Sequence, residues 1–308
     1  MPRYDVTFST PEVAEEAREL LRGAVDLHVH PGPSPFPRRI GILEAAEQAA
    51  DLGFRAIVVK SHHHSMVTDV AAVRDSVGAL PLPVFAGVAL NDQVGGLNPW
   101  AVELALQMGG RIVWFPTISS RAHICAHSGE HETSFPTATM ALRPNRELSI
   151  LDDAGQVPTE VKDILEVVRD HGAVLTGGHL GVEQADRLFE TAQEVGVEKI
   201  LLNHPNFIVG AEADLCARWS RRGIYVEHSL CMYDEASSFH QWDIDVLVDY
   251  IRAVGVEHTV LSSDLGQTNQ PLPVESYGRI VVRLGKEGFS DDELRRMVGG
   301  NAADLLGL

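Results

Sequence analysis

Histidine is the residue type whose distribution could do chemistry here. The chain holds fourteen in 308 residues, and many are clustered. Two fall in Asp26-Leu27-His28-Val29-His30, at the end of an apolar run begun by Ala24-Val25. In an extended strand, side chains two apart point the same way. His28 and His30 therefore face one side as a chelating pair. Pro31, Pro33, Pro35 and Pro37 follow, and proline lacks the N–H that a sheet ladder needs. The pair stands where a strand ends and a loop begins. Two imidazoles make half a metal site, and the rest of the chain must supply the other half.

The elements that would position them follow from hydrophobic periodicity. Short apolar runs predict strands over residues 24–30, 54–60, 83–90, 111–116, 172–178, 199–203, 224–229 and 258–263. Helical patterns fall between them, over 41–53, 68–79 (opened by Thr68), 98–108, 158–170, 182–195, 210–222 and 241–254. One helix precedes the first strand, over 11–22, and two close the chain, over 273–287 and 291–305. Strands alternating with helices in this way indicate βαβ units and a parallel sheet. Eight such units fit a (β/α)8 TIM-like barrel, in one domain over 1–308, with extra C-terminal helices. An open doubly wound sheet is the rival, but no GxGxxG follows the first strand. Residues 117–157 carry no clear period and read as an elongated loop after strand 4, an insertion or lid on the face where barrel sites are built.

A barrel places its site at the C-terminal ends of its strands. The polar residues fall there: His28 and His30; Lys60 and Ser61-His62-His63-His64; Asn91-Asp92; Thr117; Gly178-His179; Asn203-His204; Glu227-His228; Ser263-Asp264. A single histidine after a strand is an ordinary loop residue, and a single aspartate an ordinary helix cap. Imidazoles or carboxylates at nearly every strand end are not explained that way. His171 and His258 fall at strand starts and His240 before a helix; we assign them no function.

Composition narrows the classes. A net charge of −18 argues against nucleic acid and anionic membrane surfaces as partners. Cys125, Cys216 and Cys231 are widely spaced and suggest neither a disulfide framework nor a thiolate cluster. The N-terminus lacks the apolar core of a signal peptide, and no apolar run approaches the ~18 residues of a membrane span. The expectation is a cytoplasmic protein acting on a small molecule, with a homo-oligomer compatible.

Imidazoles with a carboxylate and no thiolate suit Zn²⁺ first, then Mn²⁺ or Fe²⁺. A metal acidifies its bound water, and an aspartate beside it can pass the proton to a leaving group. That is equipment for hydrolysing an amide, lactone, ester or phosphoester.

This pattern resembles the amidohydrolase superfamily of metal-dependent hydrolases. The residues that carry the resemblance are the HxH of His28 and His30, His179, His204, Asp264, and the ending Asn301-Ala302-Ala303-Asp304-Leu305-Leu306-Gly307. The resemblance implies that His28 and His30 bind the more buried metal. It implies that His179 and His204 bind a second metal, or that His204 contacts substrate in a one-metal enzyme. It makes Asp264 both a metal ligand and the general acid/base for metal-bound hydroxide attacking an amide, lactone or related carbonyl. The alternatives are a metal-dependent decarboxylase of a small carboxylic acid and a phosphoester or phosphotriester hydrolase. A binding barrel without catalysis is the non-enzyme rival.

One departure stands out. Two-metal members usually carry a bridging carboxylated lysine or a glutamate at the end of strand 4, where this chain has Trp114-Phe115-Pro116-Thr117. Lys60, after strand 2, is a displaced bridge, a charged contact to substrate or oxyanion, or structural. The number of metals, one or two, stays open with it. Arg38 and Arg39 could fork onto a substrate carboxylate, and His228 is a further substrate-binding candidate. Of His62, His63 and His64, one or two reach the cavity, since three adjacent residues cannot share one face. His123, His127, Glu130 and His131 belong to a lid, to a replacement for the missing bridge, or to a surface loop.

Overall fold

The computed structural model describes residues 11–128 and 142–308. Eight parallel strands, β1 (Val25–Val29), β2 (Ala56–Val59), β3 (Val84–Ala89), β4 (Ile112–Trp114), β5 (Val174–Thr176), β6 (Ile200–Asn203), β7 (Tyr225–Ser229) and β8 (Thr259–Ser262), lie in sequence order. The sheet closes between β8 and β1. There Val29 pairs with Leu265, His30 N–H donates to Leu265 O (2.7 Å), and Asp264 N–H donates to His28 O (2.8 Å). This is the (β/α)8 barrel expected from the periodicity.

Two apolar layers result from the alternation of strand side chains. Val25, Leu27, Val58, Ile112, Trp114 and Leu201 fill the barrel interior. Val29, Val59, Val88, Val113, Leu175 and Leu202 belong to the layer between strands and helices. On β1 the register against β2 shifts between Asp26 and Val29. Leu27 belongs to the inner layer and Val29 to the outer one, so the alternation changes phase there. Irregularities of this kind re-aim side chains beside sites, and here both His28 and His30 end inside the barrel mouth.

The helices follow the expected order with three differences. The third pattern breaks at Val73 into Val67–Ala72 and Arg74–Val77, and Thr68 lies inside the helix with its hydroxyl on Ser65 O (3.0 Å). Helix Arg121–Ala126 forms within the fourth loop, where none of its residues is buried and no apolar period announces it. The last pattern is interrupted by a π turn over Arg296–Gly300. At Gly299 a Cβ would lie 2.4 Å from Gly23 O, so the chain passes there backbone against backbone. The closing helix Asn301–Leu306 then plugs the barrel floor with Ala302, Ala303, Leu305 and Leu306. Asn301 Nδ2 donates to Val256 O (2.7 Å) and Thr259 O (2.6 Å), fixing the plug to the base of β8. Among the described residues, no helix is long and apolar enough to cross a membrane.

The loop after β8 approaches β1 so closely that Gly266 has no room for a side chain. Its φ is 138°, and a Cβ would lie 2.2 Å from His30 O. Left-handed strain costs ~1–3 kcal/mol for a residue with a Cβ, and the clash adds to it. Gly266→Ala should lower the melting temperature, because the loop after β8, Asp264 included, would be pushed away from His28 and His30. Calorimetry checks it.

Candidate metal centre

Three acceptor atoms converge at the C-terminal mouth of the barrel. His28 Nε2 lies 3.2 Å from His30 Nε2, and Asp264 Oδ1 lies 3.4 Å from the first and 3.1 Å from the second. The tautomers are set from behind. His28 Nδ1 meets Glu227 Oε1 at 2.7 Å, and His30 Nδ1 meets the carbonyl of Lys60 at 3.0 Å. A carbonyl accepts only, and so does Glu227 in its ionised form, so each Nδ1 then carries the proton and each Nε2 presents a lone pair. Burial pushes both imidazoles down to about 3, so they are neutral. Burial alone would raise the Asp264 carboxyl, and positive charge at the spot shared with His28, His30 and His204 would hold it well below the usual range; with the imidazoles neutral, that charge is what a cation supplies.

Two lone pairs and a carboxylate oxygen pointed at one spot repel unless a cation sits among them. Ligands at the ~2.0–2.1 Å typical of zinc in a tetrahedron are separated by about 3.3 Å, which is the spacing found. These residues fit a divalent metal, and His28, His30 and Asp264 are the group among the described residues that could hold one.

Support extends outward. Glu227 Oε2 accepts from Asn203 Nδ2 (2.5 Å), and burial pushes this carboxyl up to about 7. Asp26, also raised to about 7 by burial, accepts from the backbone N–H groups of His28 (3.0 Å) and Ser263 (3.1 Å), tying β1 to β8. Asp264 has φ 56° and His204 φ 26°, both in the left-handed half of the map. Strained backbone of this kind gathers at functional sites.

Lys60 is fully buried, with Nζ 3.0 Å from His28 Nε2 and 5.1 Å above the Trp114 ring. Burial pulls its ammonium down to about 8, against the pull of Asp264 and Glu227. His204 and His179 stand beside the triad with ring centroids 4.8 Å apart, and His204 is 6.1 Å from His28. His123 Nδ1 faces His179 Nδ1 at 2.9 Å.

His28, His30, Asp264, His179, His204 and His123 line one cavity of about 350 Å³, and Lys60 lies beneath its wall rather than on it. Of the substrate-binding candidates, Arg38, His62 and His63 reach it. Arg39 does not; its Nη1 donates to Gln270 O (2.5 Å) and approaches Glu275 (3.8 Å). His228 does not either. Its ring lies 6.2 Å from Tyr233 and 5.4 Å from Tyr250, behind the barrel wall. Neighbours on a strand face opposite ways, so the inward residue at the end of β7 is Glu227, which residue type alone did not single out. His64 turns to Ser61 (3.0 Å) and Asp69 (3.1 Å). His123 and His127 line the cavity, while Glu130 and His131 lie outside the described residues.

Comparison with known proteins bears on this arrangement. Residues 23–227 match the model of a family of unknown function, DUF6282. The chain belongs to that family. No curated protein sequence matches it. Among solved structures, an amidohydrolase from Pseudomonas aeruginosa is similar at 11% identity with TM-score 0.61, over 95% of this chain and 99% of that one. A triple mutant of organophosphorus hydrolase from Deinococcus radiodurans is similar at 14% and 0.58, over 99% of both. A mutant N-acetyl-D-glucosamine-6-phosphate deacetylase from Mycobacterium smegmatis is similar at 14% and 0.57, over 93% of this chain and 77% of that one. At such identities the DUF6282 chain shares with them a fold, the (β/α)8 barrel.

Two outcomes test the centre. Glu227→Gln should weaken divalent-metal binding by about 10–100-fold in chelator competition, as removal of an outer-shell carboxylate does. In metal-free protein, the buried imidazoles of His28, His30, His204 and His228, pushed down to about 3 or 4, and of His179, also pushed well down by burial, should set the pH dependence. Below pH ~6.5 the unfolded chain protonates them and the folded chain does not, costing up to about 1.4 kcal/mol per imidazole per pH unit. Asp26 and Glu227 act oppositely, since a carboxyl raised to about 7 loses stability as pH rises from about 4 to 7. The imidazoles outnumber them, so the melting temperature should fall from pH 7 to pH 5; a rise in calorimetry would mean charged imidazoles in the fold.

Proposed function

We propose that this chain is a metal-dependent hydrolase that cleaves an amide, lactone or related carbonyl of a small molecule, with Asp264 as general acid/base. What supports this is the convergence of His28 Nε2, His30 Nε2 and Asp264 Oδ1 within 3.1–3.4 Å of one another at the mouth of a barrel. A divalent cation held there, Zn²⁺ by donor chemistry with Mn²⁺ or Fe²⁺ as the other fits, supplies a Lewis acid and an acidified water. Hydrolysis is also in keeping with the amidohydrolase, organophosphorus hydrolase and deacetylase that share the fold.

The chain's own residues supply the rest. Asp264 uses Oδ1 in the triad, and its Oδ2 accepts a hydrogen bond from Ser229 Oγ (3.0 Å). Oδ2 is the atom that takes a proton from water and delivers it to the leaving group. Arg38, buried in the cavity wall, holds an anionic group of the substrate. Phe36, Phe207 and Phe239 exclude water around it. A second cation would be held by His179 and His204, and Lys60, reaching from β2 across Trp114, would serve as a bridge only once its neutral amine is carboxylated. Three free cysteines are in keeping with a reducing compartment, the cytoplasm.

The test is a screen of lactones, cyclic amides and N-acyl amino acids with the zinc-loaded enzyme in ¹⁸O-water. One oxygen of the label should enter the product, chelation should abolish turnover and Zn²⁺ restore it. Asp264→Asn should lower kcat by about 10²–10⁴-fold. Release of CO₂ without label in the product would replace hydrolysis with decarboxylation. Metal analysis of Lys60→Met separates the bridge from the other roles: a bridging lysine predicts loss of one of two metals.

A further inference from the structure

We infer that His62 is a hydrogen-bond donor locked in one tautomer and aimed at the oxygen of the substrate that gains negative charge. This rests on the hydrolase reading above for the identity of the acceptor, but not for the tautomer itself.

The proton can be traced atom by atom. Asn91 is fully buried between β3 and the fourth loop. Its Oδ1 accepts from the backbone N–H of Thr117 (2.8 Å) and of Ser119 (3.1 Å). Backbone N–H groups only donate, so the amide cannot be turned the other way. Its Nδ2 therefore faces the remaining partners, donating to His62 O (2.9 Å) and Thr117 Oγ1 (2.6 Å). Both amide protons are then used. Thr117 Oγ1 accepts one of them and still has its own proton to place. Thr117 is fully buried, and the other side-chain atom within hydrogen-bond reach among the described residues is His62 Nδ1, at 2.8 Å. A buried hydroxyl proton without an acceptor costs ~1–3 kcal/mol. The Thr117 hydroxyl therefore donates to His62 Nδ1, and the neutral ring carries its single proton on Nε2.

That is the reverse of His28 and His30. Their Nδ1 protons go to Glu227 and to Lys60 O, leaving Nε2 as a lone pair. The same ring in the same cavity is made a ligand by an acceptor behind it and a donor by a hydroxyl behind it. The His62 ring lies 4.8 Å from the His30 ring and 5.7 Å from that of His179. Its Nε2–H is thus presented at the cavity beside the triad, where a carbonyl oxygen of bound substrate would lie. Donors fixed where charge develops lower the barrier because they need no reorganisation. His62 is the catalytic residue in this account, and Thr117 and Asn91 are positioning residues.

Nitrogen NMR of the histidine-labelled full chain decides it, since ring ¹⁵N shifts distinguish protonated from bare nitrogens. The His62 signals are assigned by difference from His62→Gln. A proton on Nε2 in the parent, with that fixed pattern lost in Thr117→Val, is the expected result. A proton on Nδ1 in the parent, or an unchanged pattern in Thr117→Val, overturns the inference. A second measurement uses acetohydroxamate as an oxygen-donor probe on the zinc-loaded protein. Its affinity should fall about tenfold in His62→Phe and stay near the parent's in His62→Gln, which keeps an N–H. Equal affinity in all three removes the donor role. The NMR result stands whether or not the chain hydrolyses anything, so it fails separately from the proposed activity.

Discussion

The centre depends on one electrostatic constraint: buried acceptors that face one another must share a cation. Two imidazole lone pairs and a carboxylate oxygen meet within 3.4 Å, and each is prevented from turning away. Glu227 holds His28, the Lys60 carbonyl holds His30, and a left-handed backbone with Ser229 holds Asp264. Each outer group adds a cost of its own, because a carboxylate such as Glu227 has to be buried to do this. The barrel meets that cost with large apolar layers on both sides of its strands.

The same constraint explains Lys60. Its Nζ lies on the lone pair of His28, giving the triad a cationic neighbour made of the chain itself. Trp114 packs against it from the end of β4, where the chain carries no carboxylate or lysine. Burial favours the neutral amine, so the charge on this side chain is easily given up when another cation is present.

The sequence carried the barrel well because its signals were local. Each strand is an apolar run, each helix has one apolar face, and the ending at Asn301 proved to be a floor plug tied to β8. Choices between adjacent residues were harder. Glu227 and His228 occupy one strand end, and only strand phase shows that the carboxylate faces in. Arg38 and Arg39 divide the same way, one to the cavity and one to Gln270 and Glu275. His62 and His64 differ through partners 55 and five residues away, Thr117 and Asp69. Helix Arg121–Ala126 was invisible because it carries no fully buried apolar face to set a period. The phase change on β1 depends on pairing with β2, a contact that no single segment encodes.

The left-handed backbone at Asp264 has an evolutionary consequence. Among side chains, asparagine and aspartate tolerate that conformation readily and glycine is indifferent to it, while branched residues are excluded. Substitution at this position therefore has few exits that keep the loop after β8 in place. A descendant that replaced Asp264 but kept the barrel would pass through asparagine or glycine, and the earlier side chain would still be written in the shape of its main chain.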